Sequence, residues 1–477
     1  MSFGTLWPWL AGVTHVVVTV VAAGHVILHK RDVRAAIGWC ALILFSPYAG
    51  ALAYYFFGIN RIQRRAARLV ALRPELDQGA LAPKRLTTLP TGMDEGLDRL
   101  SRTVERATGN QLLAGNAIHT LINGDEAYPV MVEAIEHAER SVLLTTYIFD
   151  DDRAGRLFVD ALSDAALRGV EVRVLVDSVG KRYSRPRITR VLRARNVRVA
   201  EFLPSRVPFR NPYVNMRNHR KLLIVDGRTA FAGGLNIRER CLLEQPSSDA
   251  VQDLHFRFEG PIVDQMFSAA HEDWYFTTGE LLGGPAWASA TSVSGEVWAR
   301  GLPDGPDEDF ETILWTILAA VGAAREKIRI ATPYFLPDLP TLTALRLAAY
   351  RGVEVDILLP EKNNLRFVGW ASQAQLWQVL EPGCHVWLVP PPFDHSKVVV
   401  VDGAWSLVGS ANWDARSLRL NFEYNVECYD EELADELLRL TGEKMERGRR
   451  LRLEDVEARP LPVRLRDGVA RLFAPYL

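Results

Sequence analysis

The sequence predicts an α/β body built from two tandem α/β/α domains, related by a pseudo-two-fold axis and preceded by a two-helix transmembrane hairpin. Three observations predict it. Two long uncharged runs lie near the N-terminus, strands and helices alternate in the same order twice, and one 18-residue polar signature recurs without gaps.

From Leu6 to Leu28 there is no Asp, Glu, Lys or Arg, which is long enough to cross a hydrocarbon core of about 20 residues. A second uncharged run, Ala35 to Asn60, carries Pro47, Gly50 and Gly58, which membrane helices tolerate. A cleaved signal is disfavoured, because no Lys or Arg precedes the first run and no small-residue cleavage site stands out before Lys30. Arg61, Arg64, Arg65 and Arg68 after the second run pull the rest of the chain towards the cytoplasm. Lys30, Arg31 and Arg34 in the short connection work against them. The expected placement is multi-pass in a membrane, with the rest of the chain on the cytoplasmic side.

Residues 66–115 are polar and broken by prolines, and are expected to form a juxtamembrane linker after a hairpin at 1–65. Beyond it, Val130–Ala138 reads as helix, Ser141–Phe149 as strand, Gly155–Leu167 as helix and Val170–Asp177 as strand, by composition and period. The order repeats over Thr312–Ala324, Lys327–Phe335, Leu339–Tyr350 and Val353–Pro360, and the string RGVEV stands in both series. A repeat this long means two copies of one domain. They are expected at 116–285 and 286–477, parted near the Gly- and Ser-rich stretch Gly279–Ser294, the second ending in a basic tail. From Val463 the apolar residues follow helical spacing among Arg464, Arg466 and Arg471. Such a helix suits either an anionic membrane surface or the second domain.

Composition excludes several classes. Apolar residues are 48% and charged residues 24%, so the chain is neither disordered nor collagen-like. A net charge of -2 argues against a nucleic-acid partner. The four cysteines are far apart with no CxxC pair, which excludes a zinc ribbon. Nothing in the sequence specifies an oligomeric state.

The chemistry lies in HRKLLIVDGRTAFAGGLN (His219–Asn236) and HSKVVVVDGAWSLVGSAN (His395–Asn412). Both place His, Lys, Asp and Asn at positions 1, 3, 8 and 18 and Gly at 9 and 15. On a strand, i and i+2 share a face, so His219 pairs with Lys221 and His395 with Lys397. Packed about a two-fold axis, the copies direct two His, two Lys and two Asn into one pocket. Two ammonium groups and two amide donors suit a phosphoryl group. One His can attack phosphorus while the other protonates the departing alcohol. No metal and no cofactor are expected, since the lysines supply the charge and would repel a cation. Asn236, Asn412 and Ser410 are the candidate phosphate-binding residues. Asp226 and Asp402 complete the signature, but each precedes Gly at a strand end, where Asp commonly ties a turn.

The paired HxKxxxxD…G(G/S)xN motifs resemble those of the phospholipase D superfamily. Their flanks, RNHRKLLIVDG…GGLNI (Arg217–Ile237) and FDHSKVVVVDG…GSANWDARSLRLNFE (Phe393–Glu423), resemble bacterial cardiolipin synthases, as do the SPYAG and YYFFG strings and the C-terminal RLFAPYL. The resemblance counts His219, Lys221, Asp226, His395, Lys397 and Asp402 as the catalytic set. It implies a ping-pong transfer in which two phosphatidylglycerol molecules give cardiolipin and glycerol through a phosphatidyl-histidine on His219. His395 would be acid and then base, and phospholipids would be the partners. A phospholipase D hydrolase and a transferase using another alcohol are the alternatives. The family also orients each catalytic His with an acid, for which Asp253 and Glu423 are the candidates. His255, alternating with Asp253 on an expected strand, is left open to a pocket role.

Overall fold

A computed structural model describes residues 3–30, 33–58, 95–183, 185–204, 216–244, 247–306 and 311–474. Arg31, Asn60 to Arg68, the expected linker up to residue 94 and the last three residues of the RLFAPYL string lie outside the described residues. The chain divides into an N-terminal helical unit and a large body.

In the N-terminal unit, α1 (Phe3–His29) contains a stretch, Trp9–His29, with mean hydropathy 1.9, long and apolar enough to cross a membrane. The second apolar run is not one helix. It is α2 (Val33–Phe45), then a break at Ser46, then α3 (Pro47–Ala53) and a π-turn over Tyr54–Gly58. Pro47 is the physical reason: it has no N–H to continue the ladder and starts a new helix instead. Gly50 lets α3 cross α2, since a Cβ there would sit 2.6 Å from the Leu42 carbonyl oxygen. Val26, Ile43 and Tyr54 form the small core of this unit.

The body is organised around one 15-stranded sheet. The first half runs β1 (Leu113–Ile122), β2 (Ser141–Thr146), β3 (Glu171–Asp177), β4 (Arg198–Phe202), β5 (Leu222–Val225), β6 (Thr229–Gly233), the short β7 (Val251–Gln252) and β8 (Leu254–Glu259). The second runs β9 (Val297–Asp304), β10 (Lys327–Ala331), the short β11 (Phe335–Leu336), β12 (Glu354–Pro360), β13 (His385–Val389), the short β14 (Phe393–Asp394), β15 (Val398–Val401), β16 (Trp405–Gly409), the short β17 (Trp413–Asp414), β18 (Glu423–Tyr429) and the edge strand β19 (Arg449–Leu451). Across the sheet the order is β19-β13-β12-β10-β15-β16-β18-β9-β1-β8-β6-β5-β2-β3-β4. Apart from β19, this reads the same from either end once each strand is replaced by its repeat counterpart. The halves join where β1 and β9 pair antiparallel, with Leu113 opposite Ala299 and Asn116 opposite Val297.

The RGVEV repeat has a local cause. Gly169 and Gly352 take φ of 92° and 88°, the left-handed conformation that ends a helix without a Cβ penalty. The preceding arginines turn back onto helix-terminal carbonyls, Arg168 to Ile135 at 3.2 Å and Arg351 to Val321 at 2.9 Å. The helices preceding those glycines begin on matched caps, Asp152 accepting from the Gly155 amide and Asp338 from the Thr341 amide.

Each half has its own apolar core. Helix α4 (Glu95–Thr108) lies at the end of the stretch expected to be linker, yet its Leu100 and Val104 are buried in the second-half core. Its Ser101 carbonyl accepts from Arg300, which also pairs at 3.0 Å with Glu427 in a fully buried ion pair. Gly279–Ser294 is an irregular connection with one short 3₁₀ turn, Pro285–Trp287, before β9.

Candidate active site

Each signature folds as a strand, a tight turn and a returning strand: β5–β6 in the first half and β15–β16 in the second. The Asp-Gly pairs occupy the turns with positive φ, 55° and 59° at Asp226 and Gly227, 50° and 64° at Asp402 and Gly403. Gly233 and Gly409 end the returning strands. A Cβ on Gly409 would lie 2.4 Å from the Tyr424 carbonyl oxygen, and on Gly233 2.7 Å from that of Leu254. That close approach is why glycine stands at position 15 of both signatures.

The two halves exchange their acids. Phe422 in the second half accepts from the His219 backbone N–H at 2.8 Å, and the next residue, Glu423, lies with Oε2 2.9 Å from His219 Nδ1. Gln252 in the first half accepts from the His395 backbone N–H at 2.8 Å, and the next residue, Asp253, lies with Oδ2 2.7 Å from His395 Nδ1. A carboxylate only accepts, so His219 donates from Nδ1 and keeps its Nε2 lone pair for chemistry; Asp253 asks the same of His395, whose Nδ1 also has Lys397 Nζ at 2.8 Å. Short strand pairings, β7 with β14 and Asn218 with Phe422, fix these crossings.

The lysines complete one buried cluster. Lys221 Nζ donates to the His219 carbonyl at 2.7 Å, and Lys397 makes the matching bond to the His395 carbonyl. Burial lowers the Lys221 ammonium to about 7 and the Lys397 ammonium to about 8. Burial and then Lys397 bring the His395 imidazole down to about 4. Burial also lowers His219, against the opposing pull of Glu423. For the carboxylates burial works upward, yet Lys397 and His395 hold Asp253 below the ordinary range, and His219 and Lys221 do so for Glu423. Glu423 touches His219 of the first signature and Ser410 of the second, and Asp253 touches His395 of the second and lies against Gly234 of the first, so the two signatures meet in one place. With both imidazoles neutral, two ammonium groups and two carboxylates balance, so a bound phosphodiester would add one negative charge and favour protonation of an imidazole.

Other expected residues fall as follows. Asn236 Oδ1 accepts from the Ile148 amide at 3.1 Å, leaving its amide nitrogen for a ligand. The Asn412 amide donates to Ser417 Oγ at 3.2 Å, while its Oδ1 is buried without a partner. Ser410, expected at the phosphate, instead donates to Glu423 Oε2 at 2.6 Å. It steadies the acid because its hydroxyl carries a single proton. Its counterpart Gly234 has no room for a side chain, since a Cβ would meet the Asp253 carboxylate at 2.2 Å. His255 is buried behind this turn with both ring nitrogens unpartnered, and burial lowers it to about 4.

Asp226 and Asp402 do not join the cluster. Asp226 accepts from the backbone amides of Glu139, Arg140 and Ser141 at 3.0, 2.7 and 2.9 Å. Asp402 accepts from those of Arg325, Glu326 and Lys327 at 2.8, 2.9 and 2.8 Å. The catalytic role implied for them by resemblance therefore gives way to a structural one, in which each ties the signature turn to the start of a neighbouring strand. Asp402→Ala is expected to lower the unfolding free energy by about 3 kcal/mol, from charge-assisted bonds lost and a left-handed Ala. Turnover per folded molecule should stay within about threefold. Thermal unfolding and active-site titration check this, and a far larger loss per folded molecule would put the carboxylate in the chemistry.

Several site residues carry no signature position. Tyr147 stands edge-on to His219 with ring centroids 5.0 Å apart, and Tyr334 edge-on to His395 at 6.4 Å. Both follow the matched strands in TTYIF and TPYF, which is the signal that could have found them. Arg220 is buried between the halves, bonding the Glu423 carbonyl at 2.9 Å and Asp273 at 3.0 Å. The second copy has Ser396 at that position, and a cation arrives from elsewhere: Lys444 bonds Ser396 Oγ and Asp394, each at 2.9 Å.

Residues 131–254 and 317–442 match the family described as cardiolipin synthase, PLD-like domain, and residues 17–58 match the phospholipase D-nuclease N-terminal family. The chain is 33% identical to cardiolipin synthase A of Pseudomonas putida over 98% of both chains. It is 32% identical to a cardiolipin synthase of Geobacillus kaustophilus over 94% of this chain and 90% of that one. A phosphatidylserine synthase structure from Haemophilus influenzae shares the fold, with TM-score 0.62 and 16% identity, over 79% of this chain and all of that one. With both signatures present and the match running nearly end to end, this chain belongs to the bacterial cardiolipin synthases of the phospholipase D superfamily.

Proposed function

We propose that the chain condenses two phosphatidylglycerol molecules into cardiolipin and glycerol by two displacements at one phosphorus. The observation that carries this reading is the exchange of acids: Glu423 on His219 and Asp253 on His395 present two Nε2 lone pairs to one lysine-lined cluster. His219 attacks phosphorus, the bond to the glycerol oxygen breaks, and His395 gives that oxygen a proton. In the second displacement His395 recovers a proton from the acceptor hydroxyl, whose oxygen takes phosphorus from His219. The proton count closes without an outside acid or base.

An imidazole at about 4 cannot act as an acid in the empty site at neutral pH. The substrate removes that obstacle, because a phosphodiester anion between the lysines opposes the field that keeps His395 neutral. Binding and protonation are thus coupled. Since Lys221 and Lys397 titrate near 7 and 8, the KM for phosphatidylglycerol should rise on the order of tenfold per pH unit between the two values and towards roughly a hundredfold per unit above both. A KM that stays flat from pH 7 to pH 9 would remove the lysines from substrate binding.

The decisive assay uses the purified full chain with phosphatidylglycerol labelled in its terminal glycerol. Cardiolipin and free glycerol in equal amounts are expected. Phosphatidic acid as the sole lipid product would make the chain a hydrolase and overturn the reading.

A further inference from the structure

The C-terminal helix, Leu461–Arg471, is seated with Asp467 and Ala470 inward and a leucine stripe outward. Asp467 and Ala470 face the body and are 1% and 0% exposed. Asp467 is held there by Arg459 at 2.6 Å and Arg466 at 2.8 Å. Leu461, Leu465, Val469 and Leu472, which share one helical face, are between 55 and 73% exposed. Phe473 adds to this ridge and meets Phe367 edge-on at 5.6 Å. A helix on a water-facing surface normally turns such a stripe towards the core. The ridge is also close to the chemistry. Ala470 packs with Leu336, Val368 and Ala371, with Tyr334 alongside, and Tyr334 is the ring edge-on to His395.

We propose that this ridge is where the body rests on an anionic bilayer, with the leucine stripe among the acyl chains and the arginines at the phosphates. Asp467 is already paired with Arg459 and Arg466, so the exposed Arg464 and Arg471 leave the helix a positive charge that complements an anionic lipid surface. A second copy of the chain is disfavoured, because an isologous contact would set the same arginines against each other. The bilayer contact would hold the segment flanking His395 at headgroup depth.

The test uses the full chain with Cys40→Ser, the other cysteines being buried. Leu465→Cys or Val469→Cys carries an environment-sensitive fluorophore in bilayers containing phosphatidylglycerol. Arg439→Cys, on an exposed helix position, is the control. Nitroxide-labelled lipids should quench the ridge probes at least about threefold more than the control, and less when phosphatidylglycerol is replaced by phosphatidylcholine. Quenching equal to the control would overturn the proposal, as would disulfide cross-linking of Leu465→Cys between copies. If one ridge variant fails to fold, the other supplies the measurement. No turnover is involved, so this result is independent of the assigned reaction.

A second inference rests on the N-terminal unit. Tyr48 Oη lies 3.1 Å from Thr14 Oγ1, and six residues later Tyr54 Oη lies 2.9 Å from His25 Nδ1. After Pro47 the chain therefore travels alongside α1 towards His29, back to the end where α2 began. We infer that residues 33–58 are a re-entrant hairpin beside a single spanning helix. The two ends of the hairpin, residues 33 and 58, then lie on one side, and the seven cations that flank them in the sequence, Lys30, Arg31, Arg34, Arg61, Arg64, Arg65 and Arg68, no longer pull against each other, so the positive-inside rule makes that side cytoplasmic. Chains with one added cysteine, at Ser2, Lys30 or Gln63, in the Cys40→Ser background, the remaining cysteines being buried, test this in intact cells with a membrane-impermeant maleimide. Only Ser2→Cys should react before permeabilisation. Opposite accessibility of the Lys30 and Gln63 positions would restore a second full span, and reaction of both before permeabilisation would reverse the orientation.

Discussion

His219→Ala and His395→Ala should both abolish cardiolipin formation, but for different reasons that one substrate can separate. Losing the nucleophile removes the covalent route, and a fall of at least about 10⁵-fold is expected. Losing the acid costs about 10²- to 10⁴-fold, because proton transfer to the leaving alcohol is what fails. A phosphodiester with a p-nitrophenolate leaving group needs no proton. His395→Ala should therefore still release one equivalent of nitrophenol in a burst and leave a phosphoryl-enzyme, while His219→Ala should give no burst. The reverse pattern would exchange the two roles. Normal turnover in either variant would dismantle the two-histidine mechanism.

Glu423→Gln and Asp253→Asn should each lower turnover by roughly 10³- to 10⁴-fold while the fold stays intact. An amide can donate to Nδ1, which favours the tautomer with its proton on Nε2, the atom that must attack or transfer. The crossing makes the outcome specific. Glu423→Gln, in the second half, should suppress the burst that depends on His219 in the first. Asp253→Asn should spare the burst with an activated leaving group. Adding Glu423→Gln to His219→Ala should cost nothing further, since the acid acts through that imidazole. The pH profile gives an independent sign. Glu423 raises the His219 pKa, so its removal lowers the pH below which His219 is protonated and unable to attack, and the acid limb shifts down. An acid limb that shifts upward, or losses that multiply in the double variant, would show that Glu423 does not act on His219.

The repeat order and most of its helices and strands could be read from the sequence because each is set locally. Leu339–Tyr350 starts at an Asp cap and stops at Arg351–Gly352, and both signals lie in the chain itself. β1 was harder to see, since Gly115 and Asn116 interrupt its alternation. The second apolar run read as one span because hydropathy does not register direction, whereas Pro47 reverses the chain. At the site, His and Lys were legible from the duplication. The acids were visible as Asp253 and Glu423, but which histidine each serves depends on a crossing between halves that no local pattern encodes. Ser410 shows the same limit: its hydroxyl is directed by Glu423, thirteen residues on, rather than by its place in the signature. Arg220 reaches Asp273 on the helix after β8, whereas Lys444 on the helix after β18 reaches back to Ser396 and Asp394, so the contact reverses its polarity between the halves and duplication could not flag it.

Because each half lends its acid to the other, neither could assemble a working centre by itself. An ancestral single unit with this arrangement would have needed to meet its twin face to face, and every substitution would have appeared on both sides at once. Two halves in one chain are free of that constraint. One side could close its turn with a bare glycine against a carboxylate, while the other added a hydroxyl to steady its own. Small inequalities of this kind are what allow two nearly identical imidazoles to take opposite roles in a single reaction.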